Sequence, residues 1–293
     1  MRLWQRLLHP LRRALGAPAP IPDPLWQATL AHYPFLARLT PAEQARLRVL
    51  AAHFLAQKQF TGAHGLHVTD AMALAVAAQA CLPLLHLGPP GAPEKALHWY
   101  SDFVGIVMHP HDAVARRQAV DAAGVLHHYD EVLSGEAMYG GPVMLSWSAV
   151  HNAGRSQASQ DAPGYSVVIH EFVHKMDMQA GGADGAPPLP RGFMGAGSRR
   201  EAARHWQRTW APAYERFREQ VILAERFGAP APWLDPYAAS APAEFFAVAC
   251  EAHFVQPERF AQAYPDLSAA LRAFFRQPPL LPDPLAQDAG KTP

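Results

Sequence analysis

One five-residue motif, His170-Glu171-Phe172-Val173-His174, restricts the fold of this 293-residue chain more than any other feature. Apolar residues at helical spacing around it predict a helix over about residues 163–179, which two glycines would end. Residues four positions apart lie on one face of a helix, so both imidazoles can bind one metal ion. The glutamate faces the same cavity. The pattern is therefore typical of a zinc site with a general base beside it.

The motif supplies only two ligands, whereas a catalytic zinc ion commonly has three protein ligands and one position for water. Asp177 and Ala180 stand where a longer form of the motif would have glycine and histidine, which excludes that form. A glutamate on a later helix is the common alternative. Glu244 is favoured because apolar neighbours would hold its carboxylate near the core, where it needs a partner. Glu251 remains open as the ligand instead, or as a hydrogen-bond partner of a ligating histidine. The candidates for the third ligand are Glu201, Glu215, Glu219, Glu225, Glu244 and Glu251.

Composition narrows the classes of protein that the chain can belong to. The 25 lysine and arginine residues are balanced by 25 aspartate and glutamate residues, which leaves no excess of positive charge for binding a phosphate backbone. No nucleic-acid partner is therefore expected. No apolar run reaches roughly 18 residues, so no transmembrane segment is predicted. Cys81 and Cys250 lie far apart in apolar stretches, which fits a reducing compartment without disulfides.

The apolar periodicity predicts an α+β fold with a small mixed sheet, the motif helix and a helical C-terminal half. A basic helix and a Pro-rich linker are expected over residues 1–24, a metal-binding domain over 25–277 and a flexible tail over 278–293. Within the domain we expect a helical lobe over about 25–90 and a catalytic core over about 95–277. The remaining local predictions are strands at 97–108, 124–133 and 142–147, a helix or loop at 113–123, helices at 69–85, 198–227, 242–255 and 257–277, and a loop at 181–198.

Three stretches together resemble a known family. They are GEAMYGGPVMLSW at 135–147, HEFVHKMDM at 170–178 and YAASAPAEFFAV at 237–248. The combination is similar to the Mlc titration factor A (MtfA) family of zinc-dependent peptidases. The resemblance implies one Zn²⁺ per chain held by His170, His174 and Glu244, and a zincin core similar to that of anthrax lethal factor. It also implies a cytoplasmic location, aminopeptidase activity and association with the glucose repressor Mlc.

Two further roles concern catalysis. Glu171 is expected to accept a proton from the attacking water and return it to the leaving amine. Tyr237 is placed by the resemblance to supply its hydroxyl to the oxyanion of the tetrahedral intermediate. Asp177, one turn beyond His174, is expected either to orient a ligand or helix or to be a solvated capping residue.

A peptide substrate needs an unpaired strand edge along which to lie. We expect that edge at Pro142, Val143, Met144 and Leu145, with two glycines before it that permit close approach. The sequence therefore predicts a zinc-dependent peptidase, with aminopeptidase action implied by the resemblance. Two alternatives stay open: a regulatory protein that binds and sequesters an Mlc-like repressor, and hydrolysis of a non-peptide amide.

Overall fold

The computed structural model describes residues 18–120, 126–153 and 164–278, with side chains described outside 113–133. The predicted basic helix and all but the first residue of the predicted tail lie outside these ranges. The helices are α1 (Asp23–His32), α2 (Pro34–Ala37), α3 (Pro41–Gln57), α4 (Asp70–Cys81), α5 (Trp147–Asn152), α6 (Val167–Asp177), α7 (Arg199–Phe227), α8 (Pro242–Val255), α9 (Pro257–Ala263) and α10 (Pro265–Phe275), with short 3₁₀ turns at Pro93–Tyr100, Met178–Ala180, Phe193–Gly195 and Pro236–Ala239.

Six strands form two sheets within the described ranges. They are β1 (Gln59–Gly62), β2 (Gly105–His109), β3 (Ala113–Val120), β4 (Leu126–Leu133), β5 (Gly135–Ala137) and β6 (Val143–Ser146). The main sheet has the order β1-β2-β6-β5, in which β5 alone runs antiparallel to its neighbour. The strands β3 and β4 pair as a separate antiparallel hairpin. The predicted α+β class with a small mixed sheet is confirmed.

Local sequence chemistry explains where the helices begin. Thr40 and Glu43 form a capping box at the start of α3, and Thr69 caps α4 through the backbone N–H of Met72. Several other helices have proline in the first turn, where its missing N–H leaves no bond unmade. Helices predicted near 69–85, 198–227 and 242–255 are thereby confirmed.

Three local predictions are wrong. Residues 97–100 belong to a 3₁₀ turn, and the predicted strand is confined to β2. Residues 113–120 form strand β3, because the hairpin partner β4 supplies hydrogen bonds that no local pattern reveals. The segment predicted as one helix over 257–277 is divided between α9 and α10 at Pro265, whose ring cannot continue the preceding helix.

One hydrophobic cluster joins the two predicted subregions. It includes Leu50 and Phe54 of α3, Val76 of α4 and Phe172 of α6. The motif helix therefore packs against the N-terminal helices as well as against the sheet. None of the helices in the described part of the chain is long and apolar enough to cross a membrane.

Candidate metal centre and active site

Helix α6 is almost wholly buried and carries three of the candidate site residues on one face. Ser166 caps it, accepting a hydrogen bond from the backbone N–H of Ile169, and Gly181 in the left-handed region closes the turn that follows it. His174 is 6% exposed and Glu171 5%. Because the helix is fixed on both sides, these side chains have little freedom to change their relative positions.

Glu244 comes from the first turn of α8, which packs against α6. Pro242 begins this helix, and the positive end of the helix dipole stabilises a carboxylate in the first turn. Hydrogen bonding to His170 and His174 lowers the pKa of Glu244 far below its usual range, although burial acts in the opposite direction. The carboxylate is therefore anionic at neutral pH.

The three predicted ligand atoms converge. Glu244 Oε2 lies 2.9 Å from His170 Nε2 and 3.2 Å from His174 Nε2, and the two nitrogens are 3.1 Å apart. Tetrahedral zinc with ligands at about 2.0 Å would separate them by roughly 3.3 Å. Two imidazoles and a carboxylate facing one point also form a donor set that zinc prefers. The residues therefore fit a zinc ion.

A second carboxylate fixes the orientation of His170. Its Nδ1–H donates to Glu251 Oε1 at 2.8 Å, which leaves Nε2 to face Glu244 and His174. The other oxygen of Glu251 accepts the backbone N–H of Ser166 at 2.6 Å. Ser166 in turn donates its hydroxyl to the buried Gln79 of α4 at 2.8 Å. Burial lowers the pKa of His170, but Glu244 and Glu251 together raise it well above its usual value.

The candidate general base lies under the edge strand β5. A Cβ atom added to Gly135 would stand 2.6 Å from Glu171 Oε1, so only glycine permits this approach. Burial raises the pKa of Glu171, while the imidazoles of His170 and His174 lower it in part. A carboxylate with a raised pKa beside a metal cluster is suited to accept a proton.

Asp177 is fully buried and anchors the segment that follows α6. Its Oδ2 accepts the backbone N–H of Gly185 at 2.7 Å, and Gly185 O accepts the indole N–H of Trp206 at 2.7 Å. A Cβ atom on Gly185, whose φ is +79°, would lie 2.6 Å from the carbonyl oxygen of Pro242. Asp177 is thus not a solvated residue, and it connects α6 with α7 and with the start of the Glu244 helix.

The predicted substrate strand is misplaced. Val143–Ser146 pairs with β2 on one side and β5 on the other, so Pro142, Val143, Met144 and Leu145 do not form an edge. The edge strand beside Glu171 is β5, whose three residues are too few to show a strand pattern. Its only sequence signal was the GEAMYGG stretch that carries the resemblance.

Tyr237 lies in the 3₁₀ turn before α8, with its ring centroid 6.1 Å from that of His170. It is 45% exposed, and Asp235 accepts a hydrogen bond from its backbone N–H at 2.9 Å. Sequence reasoning missed Gln79, Ser166 and Gly185, because their roles depend on contacts between distant segments.

A mixed sheet, a motif helix beneath its edge and a converged His-His-Glu group that could hold a metal ion fit a metallopeptidase. Residues 8–276 match the model of a family described as glucose-regulated metallo-peptidase M90, and the chain belongs to that family.

Curated relatives agree with this assignment. The chain is 34% identical to Mlc titration factor A of Klebsiella pneumoniae (strain 342) over 256 residues, 87% of this chain and 86% of the relative. It is 36% identical to the protein of the same name from Edwardsiella ictaluri over 248 residues, 84% and 85% of the two chains. The identity to Mlc titration factor A of Cronobacter sakazakii is 34% over 266 residues, which are 91% of this chain and 89% of the relative.

Proposed function

We propose that the protein is a zinc-dependent aminopeptidase. The observation that carries the proposal is the convergence of His170, His174 and Glu244 within 3.2 Å, with the buried Glu171 beside them. Membership of a metallopeptidase family supports it. A zinc ion bound there would polarise the scissile carbonyl and make water acidic enough to lose a proton near neutral pH.

The chain's own residues supply the rest of the chemistry. Glu171 takes up the proton from the attacking water on its carboxylate and returns it to the leaving amine. The Tyr237 hydroxyl donates a hydrogen bond to the developing oxyanion, a role that its place beside His170 supports. Backbone groups of β5 bind the extended peptide as an added strand, above Glu171.

Aminopeptidase action needs a group that binds the substrate amine. Glu251 is unsuitable, since its oxygens already accept hydrogen bonds from His170 and Ser166. Glu136 lies on β5, the proposed substrate strand, where it is half-buried. We therefore assign amine recognition to Glu136.

The test combines metal analysis with hydrolysis of chromogenic aminoacyl amides. Wild type should contain one zinc per chain, Glu244→Ala should lose most of it, and Glu171→Gln should keep zinc but lose at least about 100-fold in kcat. Glu136→Gln should raise KM for aminoacyl amides and leave the zinc content unchanged. The exposed Glu219→Gln is a matched control. Absence of zinc from wild type, or full activity of Glu171→Gln, would contradict the proposal.

A second function rests on the name shared by the relatives, which denotes titration of Mlc. Under this alternative the chain binds an Mlc-like repressor in the cytoplasm, and peptide cleavage is incidental. Glu171→Gln separates the two functions, because a binding surface does not depend on a buried carboxylate. The alternative would be favoured by two results together. The variant would bind the repressor with wild-type affinity, and the wild-type protein would cleave none of the peptides offered.

A further inference from the structure

A surface pocket of about 400 Å³ lies beside the end of the motif helix, apart from the metal cluster. We call it the arginine pocket, after Arg191, Arg199 and Arg276, which line it together with His98. The three arginines come from separate parts of the chain: the segment before α7, the first residue of α7 and the residue after α10. Tertiary packing, not local sequence, brings them together.

The charges of the arginine pocket are unbalanced. No carboxylate is found among its lining residues. Within the described part of the chain, the side chains of Arg191 and Arg199 make no hydrogen bond or ion pair, and the guanidinium group of Arg276 makes one long bond of 3.5 Å to a backbone carbonyl. By contrast, Arg38 and Arg48 form ion pairs with carboxylates. All three arginines are exposed, and a bound anion would supply the negative charge that the lining lacks.

The start of α7 adds to the positive potential. Arg199 is the first residue of this 29-residue helix, whose N-terminal end carries partial positive charge. Glu201, in the first turn of α7, does not line the pocket, and its carboxylate accepts the backbone N–H of Gly197 at 2.9 Å. An anion in the pocket would meet arginine side chains close to the start of α7.

Most of the remaining lining residues, apart from His98 and Gln179, are apolar. Trp99 and Phe274 meet edge to face at 6.0 Å, and Leu87 and Leu189 lie beside them. An inorganic anion would contact the arginines but leave this wall without a partner. A flat ring can pack against the indole, and guanidinium groups bind phosphate in bidentate fashion. The lining therefore matches an organic phosphate with an aromatic portion.

We propose that the arginine pocket binds a small organic phosphate, with its phosphate on the three arginines and its ring against Trp99. The inference does not depend on the proposed peptidase activity. Gln179, which also lines the pocket, lies in the 3₁₀ turn that follows α6, five residues after His174. The ligand would thus contact the turn that follows the helix with the candidate metal ligands.

The experiment is isothermal titration of the zinc-loaded protein with three probes: AMP, adenosine and inorganic phosphate. AMP should bind, and either fragment alone should bind at least about tenfold more weakly. The triple variant Arg191→Ala/Arg199→Ala/Arg276→Ala should lose at least about tenfold in AMP affinity. A matched control, Arg204→Ala/Arg208→Ala/Arg216→Ala, removes three exposed arginines of α7 outside the pocket and should bind AMP like wild type.

Zinc content is measured in every variant, because phosphate can also bind a zinc ion. Loss of AMP binding in the pocket triple with unchanged zinc content would place the ligand on the arginines. Equal AMP affinity in wild type and the pocket triple would overturn the proposal, as would absence of AMP binding at millimolar concentration. Phosphate alone binding as tightly as AMP would overturn the assignment of an aromatic portion.

Discussion

At the scale of single residues, the candidate metal centre depends on a histidine held between two carboxylates. Glu251 accepts the Nδ1–H of His170 at 2.8 Å, so the ring presents Nε2 to Glu244. The backbone N–H of Ser166 holds Glu251 from the other side. Partners of this kind fix the tautomer and orientation of a ligand before the metal arrives.

Replacement of Glu251 tests this support. Glu251→Gln keeps the shape of the side chain but removes its charge, and we expect zinc affinity to fall about 10- to 100-fold. Competition with a chromogenic chelator measures the effect, with the exposed Glu219→Gln as the control. Unchanged zinc affinity in Glu251→Gln would show that Glu251 supports only the fold.

The contact between Gly135 and Glu171 gives a second prediction. A methyl group at Gly135 would overlap the Glu171 carboxylate, so Gly135→Ala should displace it and lower kcat for peptide hydrolysis by at least about tenfold. Gly105→Ala on strand β2 is the control, because its added methyl would meet only an ordinary contact of 3.5 Å. Equal losses in both variants would indicate a general effect on the sheet.

At the scale of elements, Lys175 connects the motif helix with the turn between β5 and β6. Its ammonium group is fully buried, pairs with Asp102 at 2.5 Å and donates to the carbonyl of Met138 at 2.8 Å. The ring of Phe103 lies 4.7 Å away. The lysine thus holds the strand that we propose binds substrate against the helix that carries the candidate metal ligands.

Removal of this ammonium group should affect stability and substrate binding together. Lys175→Met removes the ammonium group that pairs with Asp102, and since Asp102 is a quarter exposed we expect a loss of about 2 to 3 kcal/mol, below the range for a fully buried pair. Urea unfolding measures this loss, and a raised KM would report the displaced strand. The double variant with Asp102→Asn should recover part of the stability; no recovery would contradict the ion-pair account.

The same scale shows how far sequence predicts this fold. The motif helix and the Glu244 helix were predictable, because apolar periodicity, and proline at the start of the Glu244 helix, are local signals. Strands β3 and β5 were not, since their hydrogen bonds come from partners that no local pattern specifies. The wrong prediction that Val143–Ser146 forms the sheet edge has the same cause, because the strand that pairs with it on that side, β5, could not be recognised from the sequence.

At the scale of the whole molecule, one continuous core joins the N-terminal helices, the motif helix and the C-terminal helices. His253 lies in this core, 2% exposed, with its Nε2 2.6 Å from Gln277 Oε1. Burial lowers the pKa of His253 to about 4, although the hydrogen bond to Gln277 acts in the opposite direction. Protonation of this ring therefore favours the unfolded chain.

The sign of the pH effect follows from that shift. Between about pH 6.5 and the folded pKa of about 4, the unfolded chain binds a proton that the folded chain excludes, so stability falls as the pH falls. A shift of this size corresponds to at most about 3 kcal/mol. Unfolding free energies by urea at pH 7.5 and pH 4.5 should differ less in His253→Leu than in wild type. An equal difference in wild type and His253→Leu would mean that other groups govern acid unfolding.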